Sequence, residues 1–255
     1  MIAQQIDPPP PLPLAKAQRP RGHAKVISRD PYLNVNEMFG PTIQGEGRHA
    51  GATATFVRLA GCNLTCSWCD SAYTWDWAQY DRAEETHPTD IEGLAHRLRD
   101  MPGRIVITGG EPLLQAAALG VLLAHPLLSR REIDLETNGT RPLGATEGWW
   151  STITCSPKVG PSAGQRPGVA RVHPSLLDAS PDFKFVVRHS DDLAAAEAFV
   201  RKHALDAAQI WVMPEGVSSE ALLPRTQWLA SAAAERGWNF SHRLHVLAWG
   251  DERRH

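Results

Sequence analysis

The sequence predicts an α/β protein built on an open, partial (β/α)6 barrel. Apolar, β-branched runs alternate with segments whose apolar residues recur at helical spacing, a pattern typical of a parallel sheet covered by helices. Six such strands precede a final apolar run, fewer than the eight of a closed barrel. A doubly wound open sheet is the competing topology, and in both the functional loops lie at the carboxyl ends of the strands.

The predicted core strands are near-continuous apolar runs, as expected for a sheet buried on both faces. They cover 53–59, 104–108, 132–136, 152–155, 183–187 and 209–213, and a terminal strand is expected over 244–249. A further strand followed by a glycine-rich loop is predicted over 35–47. Helices are predicted from Ile91 after a cap at Thr89 and Asp90, then over 112–124, 190–203 and 219–235.

Composition indicates one domain preceded by a tail. Residues 1–30 are rich in proline and lack apolar periodicity, which predicts a disordered segment before a domain spanning 31–255. The net charge of −2 gives no case for a nucleic-acid partner, and no apolar run approaches the ~20 residues of a membrane span. The chain has four cysteines, three of them within eight residues, which is too few and too clustered for a disulfide framework. We therefore expect a reducing, cytoplasmic location.

Three of the four cysteines, Cys62, Cys66 and Cys69, lie within eight residues at the end of a predicted strand. The Cys-x3-Cys-x2-Cys spacing gives a compact set of thiolates suited to zinc, copper(I) or an iron–sulfur cluster. A structural zinc site takes four protein ligands, so zinc would also need Cys155 or a distant histidine. A [4Fe–4S] cluster on three cysteines keeps one iron open for a small molecule. Cys155 itself is expected to be a buried apolar residue.

The cysteine loop and a downstream glycine pair resemble the radical S-adenosylmethionine superfamily. Trp68 precedes the last cysteine, and Gly-Gly-Glu-Pro over 109–112 follows a predicted strand. In that superfamily the open iron binds the amino and carboxylate groups of S-adenosylmethionine, and the reduced cluster cleaves it to a 5′-deoxyadenosyl radical. The resemblance implies that the three cysteines hold a [4Fe–4S] cluster in a radical S-adenosylmethionine barrel, with close backbone approach at Gly110.

Further motifs, which follow one another along the chain in the order found in the family, resemble the 7-carboxy-7-deazaguanine synthase family over residues 35–249. They are Glu-x-Phe-x3-Ile-Gln-Gly-Glu-Gly (37–47), Arg-Leu-Ala-Gly-Cys-Asn-Leu (58–64), Cys-Asp-Ser (69–71), Glu-Thr-Asn-Gly (136–139) and Ser-Pro-Lys (156–158). The resemblance implies conversion of 6-carboxy-5,6,7,8-tetrahydropterin to 7-carboxy-7-deazaguanine with loss of ammonia. It also implies Mg²⁺, a flavodoxin-like electron donor and a homodimer.

The resemblance also assigns site residues. Arg58 would bind the substrate carboxylate, because a guanidinium group matches a carboxylate bidentately. Ser71 would bind Mg²⁺ through its hydroxyl, at a position where family members commonly have threonine. The substrate set is Ile43, Gln44, Gly45, Arg58 and Thr108. The S-adenosylmethionine set is Trp68, Cys69, Asp70, Gly110, Ser156, Pro157, Lys158, Met213, Pro214, Glu215 and Gly216.

Two further side chains and two other functions stay open at this point. Lys184 alternates with two phenylalanines, so it is predicted to point into the barrel, where Glu136 is its candidate partner. His245 is a candidate active-site residue, with an ordinary strand histidine as the alternative. The other functions are a radical activase that takes hydrogen from a partner protein and a zinc-stabilised binding module.

Overall fold

A computed structural model describes residues 32–164 and 171–255, so the tail predicted over 1–30 lies outside the described residues. The strands are β1 (Tyr32–Ile43), β2 (Thr53–Leu59), β3 (His87–Asp90), β4 (Arg104–Gly109), β5 (Ile133–Thr137), β6 (Thr152–Cys155), β7 (Asp182–Val187), β8 (Ile210–Pro214) and β9 (Asn239–Phe240). The helices are α1 (Arg82–Glu85), α2 (Ile91–Arg99), α3 (Ala116–Leu123), α4 (Pro174–Asp178), α5 (Ser190–His203), α6 (Ser219–Glu235) and α7 (Leu244–Trp249).

The nine strands form one sheet in the order β3-β1-β2-β4-β5-β6-β7-β8-β9. The run from β2 through β9 is parallel, whereas β1 pairs antiparallel with both β2 and β3. The six predicted core strands are all present, and within the described residues no ladder joins the two edges. The predicted open, partial barrel is therefore confirmed.

Helices cover the sheet and bury its apolar positions. Asp90 caps α2 by accepting a 2.7 Å hydrogen bond from the Gly93 amide, and the four apolar residues at helical spacing in α2 are buried. One core cluster lies against α2 and α3, and a second lies against α5 and α6. Cys155 is fully buried in the second cluster, as predicted. Within the described ranges, no helix has the length and apolarity needed to cross a bilayer.

The terminal strand predicted over 244–249 is wrong, because this segment forms helix α7. Its burial is that of a short helix: Val246 is 3% exposed and the adjacent Leu247 is 43% exposed. Gly250 follows with φ +69°, a positive value that glycine adopts more readily than other residues. A six-residue apolar run does not distinguish a strand from a buried helical turn. The actual edge strand, β9, has two residues, too few for a periodic signal.

On the open side of the barrel, loop contacts join the segment that follows β1 to the segment that follows β9. The Leu244 amide donates to the Gly45 carbonyl at 2.9 Å, and the Gly47 amide donates to Ser241 Oγ at 2.7 Å. Between them, Arg243 Nε donates to Glu46 Oε1 at 2.9 Å. We call the two segments that meet here, residues 44–47 and 241–246, the edge clasp. The clasp places both segments beside the carboxyl-end loops of the barrel.

Candidate active site

A cavity of about 250 Å³ lies inside the half-barrel and gathers most of the predicted site residues. Its walls come from β1 and β7, from the carboxyl ends of β2, β4, β5, β6 and β8, from the edge clasp, and from residues 250–255. The predicted residues that line it are Ile43, Gln44, Gly45, Arg58, Cys62, Cys66, Trp68, Cys69, Asp70, Ser71, Thr108, Gly110, Ser156, Lys158, Met213 and Glu215.

Three predicted cofactor residues do not line this cavity. Pro157 borders a smaller void beside Trp68. Pro214 is the last residue of β8, and the carbonyl of Gly216 accepts a 2.7 Å hydrogen bond from Arg243 Nη1. His245 lines the cavity, but from α7 and not from a strand. Its ring packs on Gly45, where a Cβ atom would lie 1.9 Å from Nδ1.

The cysteine sulfurs receive hydrogen bonds from the surrounding loops. The Leu64 amide lies 3.4 Å from Cys62 Sγ, and the Trp75 indole Nε1 lies 3.3 Å from Cys69 Sγ. Asn138 Nδ2 makes a longer 3.9 Å contact with Cys62 Sγ. Burial raises the pKa of the Cys62 thiol to about 11 despite the Leu64 amide, so its thiolate needs a cationic partner such as iron.

The three cysteine thiols that line the cavity are of the ligand type that an iron–sulfur cluster takes. Within residues 32–164 and 171–255, no three His, Cys, Asp or Glu side chains converge as ligands of one ion. A mononuclear zinc site requires four ligands around one point. In a [4Fe–4S] cluster each cysteine binds a different iron, so the three thiols need not converge on one point.

Buried Glu111 joins the loop after β4 to the loop after β5. Its carboxylate accepts hydrogen bonds from the Leu113 amide at 2.9 Å, the Asn138 amide at 2.7 Å and Thr137 Oγ1 at 2.8 Å. Burial nevertheless raises the pKa of Glu111. Gly110, just before it, packs against the cysteine loop, and a Cβ atom there would lie 2.2 Å from the Gly61 carbonyl oxygen. These contacts fix the cysteine loop against β4 and β5.

Glu136 brings two predicted substrate residues together. Its carboxylate accepts from Gln44 Nε2 at 3.1 Å and from Thr108 Oγ1 at 2.9 Å. The prediction that Glu136 is the direct partner of Lys184 is wrong, because Lys184 forms its ion pair with Glu46. Glu46 belongs to the edge clasp, which lies on the open side of the barrel. This position brings its carboxylate to Lys184 on β7. Lys184 does point into the cavity, as predicted.

Glu46 lies between two cations in the edge clasp. Burial by itself would raise its pKa, but Lys184 and Arg243 outweigh that effect and hold the pKa well below its usual range. Arg243 also pairs with Asp70 beside the last cysteine. The pKa of Asp70 is therefore lowered, although its burial opposes this. Arg243 thus connects the clasp, the cysteine loop and the turn after β8.

Arg58 is oriented by a buried carboxylate. Its Nε donates to Glu37 Oε1 at 2.8 Å, and the Glu37 side chain is 2% exposed. Arg253 and Arg254, from the chain end, also pair with Glu37, each at 3.4 Å. The guanidinium carbon of Arg58 lies 6.0 Å from the centroid of the Phe39 ring and 5.9 Å from that of the Tyr73 ring. Arg58 lines the cavity, as predicted.

The sequence interpretation missed several residues of this cavity. Glu37 stands in the quoted Glu-x-Phe motif, which could have identified it, and Trp75 follows the cysteine loop in a tryptophan-rich segment. Arg243 and Arg253 carry no local signal, since a charged chain end resembles an ordinary solvated segment. Arg253 nevertheless lies 3.8 Å over the Tyr73 ring and pairs with Glu85 at 3.0 Å.

Comparisons with known proteins agree on the family to which this chain is similar. Residues 57–151 match the Radical SAM superfamily. The chain is 36% identical over 234 residues to 7-carboxy-7-deazaguanine synthase of Hyperthermus butylicus, covering 88% of this chain and 95% of the relative. It is 32% identical over 230 residues to the enzyme of the same name from Pyrobaculum aerophilum, covering 89% and 99%.

A solved structure agrees with these relatives. The crystal structure of QueE from Escherichia coli is similar with a TM-score of 0.63 and 25% identity, covering 84% of this chain and 95% of that one. The curated relatives and the solved structure thus agree on the family and the fold over most of this chain. The chain therefore belongs to the 7-carboxy-7-deazaguanine synthase family of radical S-adenosylmethionine enzymes.

Proposed function

We propose that this enzyme converts 6-carboxy-5,6,7,8-tetrahydropterin to 7-carboxy-7-deazaguanine and ammonia. The supporting observation is one cavity that holds three thiols together with Arg58 and the Glu136-bound pair Gln44 and Thr108. The product differs from the substrate by ammonia alone, so the ring contraction needs no net oxidant. Residues 250–255 also border this cavity.

The cofactors of this family are a [4Fe–4S] cluster and S-adenosylmethionine, which together supply the radical that abstracts a substrate hydrogen. In the proposal Cys62, Cys66 and Cys69 hold the cluster. Gly110 is proposed as a backbone contact of the cofactor, and it lies against the cysteine loop so closely that a side chain at this position would meet Gly61 and Cys62. The other S-adenosylmethionine contacts are proposed at Trp68, Asp70, Ser156, Pro157, Lys158, Met213, Pro214, Glu215 and Gly216.

Arg58 binds the substrate carboxylate in this proposal. Its Nε bond to Glu37 orients the guanidinium beside the cavity. Two parallel N–H···O bonds from a guanidinium would match a carboxylate. Glu136 holds the Gln44 amide and the Thr108 hydroxyl at a fixed separation for the polar edge of the pterin, and Ile43 and Gly45 complete the wall.

The same proposal includes Mg²⁺, a flavodoxin-like electron donor and a homodimer. The Ser71 side chain is 7% exposed and lines the cavity, and its hydroxyl makes a long 3.7 Å contact with Cys69 Sγ. A hydroxyl oxygen with free lone pairs suits a hard cation such as Mg²⁺. The family resemblance supports a flavodoxin-like electron donor and a homodimer.

The activity is tested by anaerobic reconstitution with iron and sulfide, followed by incubation with reductant, S-adenosylmethionine, Mg²⁺ and 6-carboxytetrahydropterin. We expect 7-carboxy-7-deazaguanine and ammonia in equal amounts, detected by chromatography with mass spectrometry. Omitting Mg²⁺ should lower the rate. A protein that carries an intact cluster and cleaves S-adenosylmethionine yet forms no deazaguanine would refute the substrate assignment.

Replacing Gly110 with alanine should prevent stable cluster loading. The added Cβ would lie 2.2 Å from the Gly61 carbonyl oxygen, and both groups belong to the backbone, so the cysteine loop must move. Iron and sulfide bound per chain after reconstitution are the measurement. Gly93→Ala is the matched control, since its Cβ would meet only the flexible Asp90 side chain at 3.4 Å. Equal iron content in the two variants would contradict this expectation.

A further inference from the structure

We propose that Trp75 tunes the reduction potential of the cluster through a hydrogen bond from its indole nitrogen to Cys69. Trp75 Nε1 lies 3.3 Å from Cys69 Sγ, and Trp75 lines the same cavity. The inference rests on the proposed role of Cys69 as a cluster ligand. Trp75 is then a positioning and tuning residue, because it acts on the cluster through the sulfur of Cys69.

Hydrogen bonds hold the turn that carries Trp75 in place. The Thr74 side chain is fully buried, and its Oγ1 donates to the Ser71 carbonyl at 2.7 Å. The Thr74 carbonyl accepts from the Gly61 amide at 2.7 Å, which ties this turn to the start of the cysteine loop. The Trp75 amide donates to the Ala72 carbonyl at 3.0 Å. These contacts therefore fix the backbone turn that carries Trp75 against both ends of the cysteine loop.

The sign of the effect follows from charge. Reduction adds an electron to the cluster, and part of the added negative charge resides on the cysteine sulfurs. An N–H donor stabilises that charge, and it does so more strongly in a partly desolvated site. The hydrogen bond therefore favours the reduced state and makes the potential less negative. Its loss should make the cluster harder to reduce.

Cys69 and Cys62 receive different kinds of donor. At Cys62 the nearest donor is the Leu64 backbone amide at 3.4 Å, which no substitution removes without disturbing the loop, and the Asn138 side chain lies farther away at 3.9 Å. At Cys69 the nearest donor is the Trp75 side chain, which a phenylalanine can replace, whereas the Ser71 hydroxyl lies at 3.7 Å. Trp75 is accordingly a place where this chain can change the potential while keeping all three cysteines.

The test is a redox titration of the reconstituted enzyme, monitored by electron paramagnetic resonance, for the wild type, Trp75→Phe and Trp77→Phe. Trp77 is the matched control: it is 37% exposed and packs against Arg82. We expect the midpoint potential of Trp75→Phe to shift to a more negative value, and that of Trp77→Phe to equal the wild type. A third variant, Trp75→His, restores a ring N–H and should recover part of the shift. Equal potentials in all four proteins would overturn the proposal.

A second measurement needs no change at Trp75. The tryptophan indoles are labelled with ¹⁵N in the Trp68→Phe variant, because this substitution removes the other indole of the cysteine loop. Electron–nuclear double resonance of the reduced cluster should then show a ¹⁵N coupling and an exchangeable proton that disappears in deuterated buffer. Absence of both signals would overturn the proposal even if Trp75→Phe failed to load a cluster.

The cysteine assignment is tested separately. Cys69→Ser should lose most of its iron after reconstitution, whereas Trp75→Phe should retain it. A Cys69→Ser protein with full iron content and an unchanged spectrum would remove Cys69 from the ligand set and refute that part of the proposed function. Normal ligation by Cys69 with an unshifted Trp75→Phe potential would refute the tuning role alone.

Discussion

Replacing Arg58 with glutamine should weaken binding of a carboxylated pterin roughly 10- to 150-fold, the equivalent of the ~1.5–3 kcal/mol of a hydrogen bond to a charged group. Glutamine cannot supply the paired donors or the charge that Arg58 brings to the cavity. The direct measurement is the dissociation constant of 6-carboxypterin, an oxidised, unreactive analogue, followed by its fluorescence. Pterin without the carboxylate should bind the wild type and Arg58→Gln with similar affinity.

The structure indicates that this substitution tests binding and not folding. Glu37 keeps Arg253 and Arg254 as partners when Arg58 is removed, so its buried charge is not left alone. Arg104→Gln is the matched control, because Arg104 pairs with Asp134 at 2.5 Å and neither residue lines the cavity. That control should keep the preference for the carboxylated analogue. Equal loss of affinity for both pterins in Arg58→Gln would place the carboxylate elsewhere.

The carboxyl-end loops could be predicted because each motif follows its strand directly in sequence. The cysteine loop follows β2, Gly109-Gly110 ends β4, and Ser156 follows β6, so placing the strands also placed these residues around one cavity. The bounds of α5 and α6 agree with the sequence prediction for a similar reason. Both helices are long, with 14 and 17 residues, and α6 begins after Ser218, whose side chain accepts from the Ala221 amide.

The contacts across the open side could not be predicted from local pattern. Arg243 and Glu46 are separated by 197 positions, and Arg253 and Glu37 by 216. Their pairing depends on the barrel remaining open and on α7 being a helix, neither of which periodicity specifies. The wrong prediction of the Lys184 partner has the same cause. A neighbouring-strand carboxylate, Glu136, was the reasonable sequence choice, but the edge clasp brings Glu46 closer.

Replacing Glu46 with glutamine should lower the thermal unfolding midpoint of the cluster-loaded enzyme by roughly 6–20 °C. Breaking a buried ion pair from one side costs about 3–5 kcal/mol, and each kcal/mol corresponds to about 2–4 °C in a domain of this size. Glu46→Gln leaves the buried Lys184 without its direct counter-charge and weakens the bond from Arg243. Differential scanning calorimetry under argon is the measurement.

A double-mutant cycle identifies the partner of Lys184. Lys184→Met removes the stranded cation, so Glu46→Gln should cost less stability in the Lys184→Met background than in the wild type. The same cycle with Glu136→Gln should show weaker coupling, because Glu136 acts on Lys184 only through space while it accepts from Gln44 and Thr108. Stronger coupling to Glu136 than to Glu46 would contradict the edge clasp. Because Glu46 also binds Arg243 across the open side, part of its cost should persist without Lys184, and that remainder measures the bridge between the two barrel edges.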